Sequence, residues 1–193
     1  SRYVWVIDPL DGTRAFVHGT PGYSVMIGLL KDGHPRLGVV VDPVEGHLYE
    51  AVEGEGAFHT LQNVRRRVQV SDREEWNTMP VITSTGFPEA LQNQLAAELT
   101  GPWLKPVNSV GIKVGFVVRQ LADLYINHHT VHFWDTCAPQ IILEEAGGIM
   151  TDLSGGPLSY NLKGDHRHAA ATLASNGARH QGALDILDRV MRR

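Results

Sequence analysis

The stretch Trp5-Val6-Ile7-Asp8-Pro9-Leu10-Asp11-Gly12-Thr13 decides how the rest of the chain is read. Tyr3 to Ile7 is an apolar run that reads as a buried strand, and it ends in two carboxylates separated by Pro-Leu. A turn at the strand end brings Asp8 and Asp11 to one point, where their charges repel unless a cation sits between them. Hard oxygen donors suit magnesium or calcium rather than zinc or copper. The Leu10 carbonyl can point into the same space. The Gly12 and Thr13 N–H groups can open a short helix and receive a phosphate oxygen. Asp-Pro and Asp-Gly are also ordinary turn pairs, so the motif alone leaves both readings open.

Outward from this motif the pattern alternates. Strands are expected at 23–30, 36–41, 47–52, 56–60 and 64–70, with Asp32-Gly33 and Glu53-Gly54-Glu55 as hairpin turns. A short strand at 79–84 precedes a helix from Pro88 to about Leu99, stopped by Gly101-Pro102. The second half predicts helices at 111–121, 136–146 and 178–191, the middle one closed by Gly147-Gly148, and strands at 124–127, 149–153 and 171–175. Hairpins mixed with helices imply an α/β sandwich with much antiparallel pairing rather than a doubly wound parallel sheet. The expected organisation is a sheet-rich part over residues 1–106 and an α/β part over 107–193.

A second constellation, Phe133-Trp134-Asp135-Thr136-Cys137-Ala138-Pro139-Gln140, stands at the start of an apolar helix. Pro139 is not expected deep inside that helix, which puts Asp135 near its N-terminus. Asp135 is then either an ordinary capping residue or a third carboxylate for a cation, and local sequence does not separate the two.

Together these two runs resemble the inositol monophosphatase superfamily. Trp5 to Thr13 is similar to its strand-and-metal motif. Trp134-Asp135 through Glu145-Ala146-Gly147-Gly148 is similar to its second motif, and the hairpins from Ser24 to Phe58 fit between them. The resemblance covers essentially the whole chain and implies a layered αβαβα sandwich of the sugar-phosphatase type. It implies two or more magnesium ions, sensitivity to lithium, and Asp8, Leu10, Asp11 and Asp135 as metal ligands. Gly12 and Thr13 would hold the phosphate, with Asp11 and Thr13 helping a metal-activated water attack phosphorus. The family's upstream Glu ligand and N-terminal helices have no counterpart here. The chain has no initiator Met, and it reads as a fragment whose start is cleaved away or supplied as a separate piece. An inactive remnant, or a subunit needing that piece, is the alternative to an enzyme.

For the substrate, Arg14 after Thr13 and the run Ser109-Val110-Gly111-Ile112-Lys113 resemble the 3′(2′),5′-bisphosphate nucleotidase branch, in which the Ser and Lys contact the nucleotide phosphate. Thr136-Cys137-Ala138-Pro139 is similar to the same branch. Arg14-Ala15-Phe16-Val17-His18 leans toward the inositol type. Ser84 matches a substrate-contacting position, while Phe87 stands where some nucleotidases carry His. Asp135 also belongs to the substrate pocket by this resemblance. The reaction expected is removal of the 3′-phosphate of adenosine 3′,5′-bisphosphate, with inositol 1-phosphate or a sugar phosphate as the alternative.

Composition limits the other classes. The 193 residues carry a net charge of −4, which gives no footprint for a nucleic acid polymer. The basic run Arg65-Arg66-Arg67 reads as a solvated edge. No segment is apolar enough to span a membrane, and the single Cys137 forbids an internal disulfide, which fits a cytoplasmic protein. A homodimer is compatible with this composition. Adjacent His128 and His129 point to opposite faces of an extended segment, so with His132 they read as a polar loop rather than a zinc site. His166 and His168 read as an exposed loop. Cys137 near a helix N-terminus raises a cysteine-nucleophile mechanism, for which no partner is evident.

Overall fold

The computed structural model describes residues 2–192. Two sheets and two pairs of helices make four stacked layers. The first sheet takes its strands in chain order, β1 (Tyr3–Asp11), β2 (Ser24–Lys31), β3 (His34–Asp42), β4 (His47–Val52), β5 (Gly56–Leu61) and β6 (Val64–Val68), all antiparallel. This is the meander that the alternation and tight turns predict. The short α1 (Thr13–Val17) interrupts it after β1.

The second sheet has the order β7 (Val81–Thr83), β8 (Leu124–Ile126), β10 (Thr172–Ser175) and β9 (Ile149–Asp152). Only the β7–β8 pair is parallel. β7 comes from the first half of the chain yet pairs with β8, so the second sheet draws on both sides of residue 106.

Between the sheets lie α3 (Val110–Val118) and α4 (Phe133–Glu145); α2 (Glu89–Ala96) and α5 (His180–Met191) cover the outer face of the second sheet. Strand alternation sorts the core accordingly. Ile82, Tyr125 and Ala174 point to the inner helices, while Val81, Leu124 and Leu173 point to α5 and Leu95 of α2. Gly28 and Gly38 face each other on β2 and β3 and let α4 lie directly on the first sheet. Among the described residues no helix is long and apolar enough to cross a membrane.

Two expectations change here. β1 is a strand but not a buried one. It lies at the sheet edge, and only Val4 and Val6 turn inward, against Leu30, Phe133, Cys137 and Tyr160. Tyr3, Trp5 and Ile7 lie on the opposite face and are more than half exposed, because the described residues place no layer there. Pro139 lies well inside α4. Its missing N–H leaves the Asp135 carbonyl without its usual helical donor, a cost the tightly packed helix accommodates.

Candidate metal centre

Asp8 and Asp11 are three positions apart, and in a regular strand they would face opposite ways. β1 avoids this with a bulge. Asp8 lies across from Met26 and Asp11 from Ser24, so the β1 side holds one residue more than the β2 side. The convergence thus comes from a bulge within the strand rather than a turn after it. Pro9 sits in the bulge of an edge strand, where a missing N–H is tolerated. Gly12 follows with φ +84°. A Cβ there would stand 2.6 Å from the Gly22 carbonyl oxygen and 3.3 Å from the Ser109 nitrogen, so this turn closes only on glycine.

The third carboxylate arrives from α4. Asp135 reaches back to accept a 2.7 Å hydrogen bond from the His132 N–H, while Trp134 stacks flat on the His132 ring at 4.3 Å. Asp135 is therefore a capping-box residue and also a member of the cluster. Oxygens of Asp8, Asp11 and Asp135 all lie within 4.8 Å of one another, the spacing of ligands around a common cation.

Each carboxylate has one oxygen anchored. The Leu10 N–H donates to Asp8 Oδ1 at 2.9 Å. The Ser109 hydroxyl and the Gly111 N–H, at the start of α3, donate to Asp11 Oδ2 at 2.7 and 3.2 Å. The His132 N–H holds Asp135 Oδ2. The Val110 N–H also faces Asp11, and among the described residues no other side chain donates to the three carboxylates, which leaves oxygens on each for a shared partner. Burial pushes the Asp8 carboxyl up to about 6 and Asp135 up to about 7, the neighbouring carboxylates adding to both, and burial raises Asp11 as well. A cluster that resists its own negative charge suits a hard divalent cation, and the all-oxygen donor set fits magnesium or calcium.

Leu10 and Thr13 adjoin the cluster, and the Thr13 hydroxyl donates to the Leu10 carbonyl at 3.0 Å. A carbonyl has two lone pairs, so Leu10 keeps one acceptor site. Arg14 is exposed on α1, close to Gly86. Ser84, just past β7, is nearly buried.

Ser109 and Lys113 do not occupy the places their resemblance implies. Both are fully buried. The Ser109 hydroxyl donates to Asp11, accepts the Ile112 N–H at 3.0 Å and pairs with the Ser24 hydroxyl at 2.8 Å, so nothing is left for a substrate. Lys113 Nζ donates to the Val107 and Asn108 carbonyls at 2.9 and 2.6 Å and lies over the Tyr125 ring. Burial draws the Lys113 ammonium down to about 7 against the upward pull of Asp11 and Asp135. A visible signal pointed to this: Lys113 is the one charged residue in Val-Gly-Ile-Lys-Val-Gly-Phe-Val-Val, a helix apolar on every side. Ser24, which supports Ser109, carried no local signal at all.

The side alternatives resolve by burial. Cys137 is 1% exposed and its thiol is pushed up to about 12, so it is no thiolate nucleophile. His128 and His129 meet edge to face, and among the described residues no histidine joins a metal-binding cluster. His166 is exposed as expected, but His168 is buried and hydrogen-bonded to the Thr136 hydroxyl at 2.7 Å.

Comparison with known proteins gives a consistent result. The inositol monophosphatase family profile matches residues 1–191. The chain is 35% identical over 163 residues to the 3′(2′),5′-bisphosphate nucleotidase CysQ of Aggregatibacter actinomycetemcomitans, covering 84% of this chain and 60% of that protein. It is 34% identical over 161 residues to human inositol monophosphatase 1, covering 79% of this chain and 56% of that protein. The solved inositol monophosphatase of Anabaena superposes with a TM-score of 0.78 at 30% identity, over 98% of this chain and 73% of that one. The chain thus spans under two thirds of the length of these two curated relatives.

Proposed function

Because the chain belongs to the inositol monophosphatase family, we propose that it carries the metal centre of a magnesium-dependent phosphomonoesterase acting on a small phosphorylated metabolite. The observation that carries this reading is the cluster of Asp8, Asp11 and Asp135, each anchored through one oxygen and with oxygen left for a shared partner. A bound magnesium supplies charge neutralisation and an acidified water. The chain's own residues supply the orientation. The Thr13 hydroxyl spends its proton on the Leu10 carbonyl, so its lone pairs are left to accept a hydrogen bond from an attacking water. The first N–H groups of α1, at Thr13 and Arg14, have no intrahelical acceptor and suit phosphate oxygens, with the tight turn at Gly12 setting their direction. The new P–O bond forms as the ester P–O bond breaks in line, and the leaving oxygen takes up a proton. No covalent phosphoenzyme is involved.

For the substrate we favour the 3′-phosphate of adenosine 3′,5′-bisphosphate. The support is the similarity to CysQ and the exposed Arg14 guanidinium beside the metal turn, available to a second phosphate. Lys113 takes no part in this reading, since it is fully buried and two of its three N–H groups are held by backbone carbonyls. Inositol 1-phosphate is the second reading, favoured by the nearly equal identity to inositol monophosphatase 1. The test is phosphate release from both compounds by the full-length protein with magnesium. Adenosine 3′,5′-bisphosphate should be the better substrate, Arg14→Ala should raise its KM more than that of inositol 1-phosphate, and Asp11→Asn should abolish both activities. Release from neither compound with magnesium present would refute both readings.

A further inference from the structure

Lys113 is a buried cation, and among the described residues no carboxylate pairs with it directly. Its ammonium instead donates to the carbonyls of two consecutive residues, Val107 and Asn108. Those residues form the turn that leads into α3, so the side chain folds back from the helix onto its own entry segment. The turn is also held by its neighbours, among them the Thr85 hydroxyl, which donates to the Asn108 side-chain oxygen. The Val107 N–H donates to the Thr83 carbonyl at 3.1 Å, and the Ser109 N–H donates to the Gly22 carbonyl at 3.0 Å. The Ser24 hydroxyl meets the Ser109 hydroxyl. What this turn delivers is the Ser109 hydroxyl and the Gly111 N–H, both aimed at one oxygen of Asp11.

An ammonium buried this deeply is costly unless its environment uses it. Here the carbonyl dipoles and the face of the Tyr125 ring, 4.9 Å from Nζ, meet part of its charge. We propose that Lys113 is a positioning residue for the metal centre: it locks the turn at residues 107–109 so that Ser109 and Gly111 clamp Asp11 Oδ2 and turn the other oxygen toward the cation. This rests on the metal reading of the cluster but not on any substrate. It separates Lys113 from direct substrate contact, because a side chain with no exposed surface touches no ligand; it reaches the site through the turn it holds and through its charge, which Asp11 and Asp135 feel.

The test reads magnesium binding directly, by calorimetry and by the shift in melting temperature on adding magnesium, alongside kinetics. Lys113→Met keeps an unbranched stem, one atom shorter, and removes its donors. It should weaken magnesium binding by roughly 10–100-fold, as loss of a residue supporting a metal ligand does. It should lower kcat at limiting magnesium, and leave the substrate KM at saturating magnesium within about twofold. Ser109→Ala should weaken magnesium similarly, and the double variant should be little worse than either single one, since both break the same chain of contacts. Should Lys113→Met fail to fold, Lys113→Gln retains an N–H donor and should give a smaller loss of magnesium affinity in the same direction. Unchanged magnesium affinity in a folded Lys113 variant, or fully additive losses with Ser109→Ala, overturns the proposal. So does a raised substrate KM with magnesium binding intact. Magnesium binding by a wild-type protein that hydrolyses no phosphate ester would count against the proposed activity alone and leave this inference standing.

Discussion

The contact between α4 and the first sheet makes a quantitative prediction, because α4 carries Asp135 and Gly28, with Gly38, lies directly against it. A Cβ placed on Gly28 would stand 2.4 Å from Cys137 Sγ and 3.1 Å from the Ala138 nitrogen. Gly28→Ala alone should therefore force the helix back or the sulfur aside, an overpacking cost of about 1–3 kcal/mol. In a domain of this size that lowers the melting temperature by roughly 2–12 °C. Cys137→Ala alone removes one buried sulfur and should cost about 0.5–1.5 kcal/mol, like other single-atom core truncations. Combined, the new methyl group takes space the sulfur vacates. The remaining 3.1 Å contacts ask for shifts of only a few tenths of an ångström. The double variant should then be more stable than Gly28→Ala, with a favourable coupling of at least about 1 kcal/mol. Urea melts of the four proteins close the cycle. Magnesium titrations should follow it, with affinity weakened in Gly28→Ala and recovered in the double variant as Asp135 returns. Single effects that add to within about 0.5 kcal/mol would refute the account of how α4 is seated.

Acidity should act on the metal centre with a definite sign. Burial raises Asp8 to about 6 and Asp135 to about 7 from an ordinary 3.8. Carboxyls raised in this way add stability below their unfolded values and lose it as pH climbs through the folded ones. The metal-free protein should thus lose stability between about pH 4 and pH 8, and the melting-temperature gain from magnesium should grow over the same window. A magnesium effect that is the same at both ends of that window contradicts these shifts. Elsewhere, the Asp123 side chain is completely buried, bonded to the Ser71 hydroxyl and to Arg73 Nη1 at 2.8 Å. Arg73→Ala should cost roughly 2–3 kcal/mol, below the full value for a broken buried pair because Arg73 is 32% exposed. Adding Asp123→Asn should recover part of that loss in the same denaturant melts, and an Arg73→Ala protein as stable as wild type would contradict it.

Sequence by itself determined the order and kind of nearly every element. Alternation and paired turns mark the meander from β1 to β6, and glycine and proline stops bracket the helices. It also singled out Asp8, Asp11 and Asp135, through two motifs whose neighbours are distinctive. Whether Asp135 is a cap or a ligand was not legible locally. The structure shows that it does the first while standing where it can do the second. Tertiary structure alone decided which face of β1 is covered, since an edge strand and a central one carry the same run of apolar residues. It decided, too, that Asp8 and Asp11 share a side, because a single bulge residue reverses strand parity. Ser109 and Lys113 show the deeper reason. A short polar motif specifies donors and acceptors but not their direction. Direction came from seating α3 between two sheets, which turned a serine and a lysine away from solvent and toward Asp11 and the carbonyls of residues 107 and 108.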